Sequence, residues 1–190
     1  MLALLADRRL YAHIGDEPTP SLEDLQLRYA RQAAGRSPDG REVWHSWIVR
    51  HRASGLAIGF VQATVTSAGP APRPEGPLLA EHPLLADEPL RADEPLRADE
   101  PAPSPYDDQP SAELAWLIGV AWQGHGYATE AAAAVRDAVQ GPASITGDDV
   151  VLVHAHIAPG NAASQAVARR LGLRPTGETH DGELRWQQRP

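Results

Sequence analysis

The stretch ELAWLIGVAWQGHGYATEAAAAV, residues 113–135, decides the fold. Its first eight residues, 113–120, are strand-formers with an apolar bias. From residue 126 to 140 the pattern changes to helical spacing, with a stripe of Ala128, Ala131, Ala132, Val135, Ala138 and Val139. Between the two lies a short loop containing Gln123, Gly124, His125 and Gly126. Glycines let a backbone turn tightly and bring its amides close to a ligand. A helix start adds unpaired N–H groups and a partial positive charge. Together they suit an anion such as a pyrophosphate. The loop lacks the Lys-Ser/Thr ending of a Walker loop, and its glycines do not fall as G-x-G-x-x-G. The residues alone leave two readings open: an anion site, or a glycine-punctuated turn between strand and helix.

Working outward, residues 150–157 form a near-continuous apolar run suited to the centre of a sheet. Residues 161–171 predict a short helix stopped by Gly172. Asp181-Gly182 is a two-residue turn signal between strands at 176–180 and 183–187. Upstream, Ser21 is placed to cap a helix that presents Leu22, Leu25, Tyr29 and Ala33 on one face and stops at Gly35. Two strands follow, 42–51 and 56–66, joined through 52–55. The opening residues, LALLADRRLYAHIG, read as a further helix. The order of elements gives an α/β (α+β) domain built on one sheet.

Residues 67–112 break this pattern. Four hexapeptides, PLLAEH from Pro77, PLLADE from Pro83 and PLRADE from Pro89 and Pro95, put a proline at every sixth position. That spacing blocks a continuous helix and a paired strand alike, so an acidic, extended, disordered insertion within one 1–190 domain is expected. The insertion carries ten acids and three arginines, leaving a nearly neutral body from a chain of net charge -8. An acidic chain does not suit nucleic acid as a partner. There is no cysteine and no lysine, so disulfides, thiolate ligands, cysteine nucleophiles and lysine Schiff bases are excluded. No run approaches the roughly 18–20 apolar residues of a membrane span, and the start lacks a signal-peptide pattern. No membrane partner and a cytoplasmic location are expected, and the Ala/Arg/Pro-rich, lysine-free composition suggests a bacterial source.

Gln123-x-x-Gly126-x-Ala128 resembles the Q/R-x-x-G-x-G/A signature of the GNAT superfamily of acetyl-CoA-dependent acetyltransferases. Further on, HIAPGNAASQAVARRLGLRPTGE resembles the same families' strand–Asn–helix–Leu-Gly-Phe stretch. Its Asn161-x-x-Ser164 form is most similar to the ribosomal-protein-alanine acetyltransferase branch. The resemblance implies a mixed, mostly antiparallel sheet, splayed at a bulge where acetyl-CoA binds. Backbone groups of Leu117, Ile118, Gly119 and Val120 would hold the pantetheine. Amides of Gln123, Gly124, His125, Gly126, Tyr127 and Ala128 would hold the pyrophosphate. Asn161 would bond the pantetheine, an alternative to simple helix capping. The partners implied are acetyl-CoA and an amine acceptor, with no metal.

Acetyl transfer to an amine needs a base, a polarised thioester carbonyl and an acid for the leaving thiolate. Glu113 opens the strand leading to the cofactor, where the resemblance implies a carboxylate base. The amide of Ile118 is the expected carbonyl polariser. Family members often carry a tyrosine acid where this chain has Ala168, so Ser164 is expected to substitute. His154 and His156 share one strand face, and with no carboxylate at close spacing in sequence a structural role is expected for them. The resemblance also implies a strand before the first helix. Met1 already falls within helical sequence, so either that strand is missing or the start lies upstream. An edge strand left bare favours association, such as a homodimer. A rival reading keeps the fold without the chemistry: an acyl-CoA-binding or interaction module.

Overall fold

The computed structural model describes residues 2–12, 21–37, 40–67, 109–141 and 150–188. Most of the expected insertion, including all four hexapeptides, lies outside them. Six strands form a single sheet in the order β1-β2-β3-β4-β6-β5. They are β1 (Glu42–Arg50), β2 (Ala57–Thr66), β3 (Ser111–Ile118), β4 (Leu152–Ile157), β5 (Arg174–His180) and β6 (Glu183–Gln187). Only β3 and β4 are parallel; the other neighbours are antiparallel. This is the mixed α/β architecture expected, and β1 forms one edge of the sheet. Among the described residues no strand precedes Glu42.

Strand alternation sorts the two faces. Val61, Ala63, Val65, Ala112, Leu114, Val153, Ala155 and Ile157 point to one side and form the main core. Helices α3 (Tyr127–Gln140) and α4 (Ala162–Arg170) cover it, contributing Ala132, Val135, Val139, Val167 and Ala168. The opposite face carries Phe60, Gln62, Glu113, Leu117, His154 and His156. It is covered at the Leu117 end of β3 by a smaller cluster of Leu5, Leu10 and Leu117, with Tyr11, Tyr29 and Phe60 packed against it.

The amino-terminal helix expected over LALLADRRLYAHIG is instead two short turns, α1 (Leu2–Leu5) and a 3-10 turn at Arg8–Tyr11. Asp7 divides them: its carboxylate accepts from the Arg9 amide at 3.1 Å and competes with helix continuation. Helix α2 (Leu22–Ala33) forms as expected, but Leu22 is more than half exposed, so its apolar face is narrower than the spacing suggested. Ser111 and Ala112, expected within the insertion, are buried and belong to β3. At the other end, Asp181 and Gly182 both have positive φ, as a two-residue hairpin turn requires.

Candidate active site

The site follows from where β3 and β4 stop pairing. They are registered over three positions only, Ser111↔Leu152, Ala112↔Val153 and Glu113↔His154. Beyond Glu113 the strands part, and among the described residues 114–118 have no strand partner on that side. Half the backbone groups along this stretch therefore face a cleft. The expected bulge is absent: β3 runs against β2 in unbroken register from Ser111 to Ile118, so the opening comes from divergence alone. Gly59 keeps β2 close to the cofactor end of β3; a β-carbon there would overlap the Leu117 carbonyl oxygen.

A cavity of about 1030 Å³ fills the cleft. It is lined by Leu117 and Ile118 of β3, by Gln123 to Glu130 of the loop and first turn of α3, and by Asn161 and Ser164 of α4. Gly124 and Gly126 adopt φ of +78° and +85°, the left-handed region that glycine enters without strain. Gly126 is the N-cap of α3 and no side chain caps that end. The loop is pinned by its own groups: Gln123 Nε2 donates to the Ile118 carbonyl at 3.0 Å, and His125 Nδ1 lies 2.8 Å from the Gln123 carbonyl. Gly119 and Val120 do not line the cavity. Gly119 N–H donates to the Ile58 carbonyl, and Val120 packs on the amino-terminal cluster. Of the four residues expected to hold the pantetheine, Leu117 and Ile118 line the cavity.

A second cavity of about 300 Å³ adjoins the first. Glu113, His156, Gln62, Phe60, Tyr11 and Glu183 line it. Trp116, Leu117, Asn161 and Ser164 line both cavities and so stand at their junction. Asn161 caps α4, its Oδ1 accepting from the Ser164 amide at 3.0 Å. Ala168 is fully buried in the main core and lines neither cavity.

Glu113 Oε1 lies 2.8 Å from His156 Nδ1. Burial alone would raise the Glu113 carboxyl. The hydrogen bond from His156 and the charges of His156, His154 and His180 outweigh that effect and hold it below the usual carboxylate range. An ionised carboxylate only accepts, so Nδ1 carries the proton in this hydrogen bond. The expectation that no carboxylate joins the two histidines is corrected here: Glu113 does so from the neighbouring strand. The alternation of His154 and His156 was visible in sequence, but the partner depended on a strand register set by residues far apart.

Residues 100–174 match the family model described as an acetyltransferase (GNAT) domain, a span containing β3, the glycine loop, α3, β4 and α4. Over that span the chain is similar to a GNAT acetyltransferase domain. Solved structures extend the likeness of fold across its length. An acetyltransferase from Agrobacterium tumefaciens is 20% identical with a TM-score of 0.54, covering 100% of this chain and 82% of its own. The spermidine N-acetyltransferase of Vibrio cholerae, solved with CoA and spermine, is 16% identical at 0.56, covering 98% and 84%. A ribosomal-protein-alanine N-acetyltransferase from Brucella melitensis is 18% identical at 0.55, covering 98% and 90%. Among curated proteins, none matches the sequence. Among the described residues no helix is long and apolar enough to cross a membrane.

Proposed function

We propose that this chain transfers acetyl from acetyl-CoA directly to a primary amine, and that the amine belongs to a small cationic molecule. The observation that carries this reading is the pair of adjoining cavities that share Trp116, Leu117, Asn161 and Ser164. The larger ends at the uncapped start of α3, where first-turn amides of Tyr127 and Ala128 and the loop amides of 123–126 would hold a pyrophosphate. The open edge of β3 offers backbone partners for the pantetheine. Asn161 spends its oxygen on the helix cap, and its amide group would serve the pantetheine, so capping and cofactor contact are compatible.

In the smaller cavity, Glu113 with His156 would draw the proton from the acceptor ammonium. An N–H on the open edge of β3, assigned to Ile118, would stabilise the oxyanion formed as the amine attacks. Ser164 would return a proton to the departing thiolate. No covalent enzyme intermediate is used. Among the described residues the acceptor cavity is lined by two carboxylates, Glu113 and Glu183, and by no arginine, which favours a cationic amine.

Release of free thiol from acetyl-CoA across polyamines, aminoglycosides and peptide amino termini tests the reading. Turnover with at least one small cationic amine is expected. Tight binding of coenzyme A without turnover on any amine would overturn it in favour of a binding module.

A further inference from the structure

Glu113, His154 and His156 each present one donor atom, and these atoms lie within 4.8 Å of one another. The fold sets this up. Parallel register places Glu113 opposite His154, and the two-residue strand period puts His156 on the same face. Two imidazoles and a carboxylate are the donors that zinc and its d-block neighbours take, whereas magnesium and calcium prefer all-oxygen sets. His154 is buried, and Glu113 and His156 open onto the acceptor cavity, so an ion would have both a protein wall and a route in. A tetrahedral ion with bonds of about 2.0–2.2 Å holds its ligand atoms roughly 3.3 Å apart. Side-chain rotation of about 1 Å, within the range of ordinary rotamer adjustment, would close the trio. Among the described residues no arginine lines this cavity to repel a cation.

We propose that Glu113, His154 and His156 form a binding site for a divalent transition ion of the zinc class, with its fourth position open to the acceptor cavity. Metal binding is read without acetyl transfer, so failure of either leaves the other standing.

The test is titration of the full-length, tag-free, metal-stripped protein with Co²⁺. A visible d–d absorption band saturating at one ion per chain, and bleached by Zn²⁺, is expected. His154→Ala, His156→Gln and Glu113→Gln should each weaken binding by about tenfold or more, at least the loss seen when groups merely supporting a ligand are removed. Glu183→Gln should retain the band. Circular dichroism confirms folding of each variant. Should His154→Ala fail to fold, the near-isosteric changes at His156 and Glu113 decide the matter. Absence of a band with the parent chain, or unchanged affinity in the folded variants, would overturn the assignment.

Discussion

Glu113 carries two demands at once. In the proposed reaction it must stay ionised to attract an ammonium, and it must pass a proton onward. The hydrogen bond to His156 meets the first by stabilising the charge and the second by adding an imidazole nitrogen to the site. Glu113→Gln keeps the shape and removes the charge, so turnover should fall about 10²–10⁴-fold, the range for a lost general base. Coenzyme A affinity should stay near the parent value, because Glu113 lines only the smaller cavity. Unchanged turnover would remove Glu113 from the mechanism. If the metal site and the acetyl-transfer reading both hold, Zn²⁺ should inhibit competitively against the amine and not against acetyl-CoA. His154→Ala should relieve that inhibition. Ala168 teaches a different lesson. Its side chain is fully buried among Ala155, Val167 and their neighbours. Ala168→Tyr should therefore overpack the core, costing about 1–3 kcal/mol, and should not raise turnover. Thermal melting together with the thiol assay would show both.

Elements position these residues through two close fits. The first is the approach of β2 to β3 at Gly59, which a methyl group would disrupt. Gly59→Ala should cost about 1–3 kcal/mol and lower Tm by about 3 °C for each kcal/mol. Because the clash falls on Leu117 and Ile118, coenzyme A affinity should weaken as well; a stable variant with intact affinity would argue against this arrangement. The second is the divergence of β3 and β4 after Glu113. Sequence and structure agree best where information is local. The glycine loop, the helical stripe of α3 and the Asp181-Gly182 turn each rest on a few neighbouring residues, and each appears where expected. The amino-terminal helix was misread because helical spacing is blind to Asp7, whose side chain competes for the backbone. The Glu113–His156 pair and the unbulged opening were not legible for another reason. Both depend on which strands lie side by side and where their register ends, a property of residues some forty positions apart in the chain. Ser164 was legible as a candidate, but its place at the junction of two cavities needed the packing of α4 beside the cleft.

At the scale of the whole molecule, the acidic stretch of sequence is joined to the sheet at one end of the β2–β3 pair. Thr66 and Ser111 are paired positions in neighbouring strands, so the chain leaves the sheet and returns to it at adjacent points. Such ends can be joined by a short turn without moving either strand. Removal of residues 76–101 should accordingly leave the melting temperature close to that of the parent chain; loss of soluble protein would show that the repeats help to hold the fold. The same deletion takes away seven acids and two arginines, a change of five units toward neutrality. Glu113 lies only two residues beyond the point of return, whereas the glycine loop is at the far end of β3. A negative field entering at that end would raise the local concentration of a cationic amine and leave a backbone-held pyrophosphate largely untouched. The deletion should raise KM for the amine and not for acetyl-CoA. Since the Debye length is about 10 Å at 0.1 M salt, the difference between the two chains should shrink as ionic strength increases. An amine KM that is equal in both chains at low salt would leave the carboxylates of the cavity, Glu113 and Glu183, as the whole basis of acceptor charge selection.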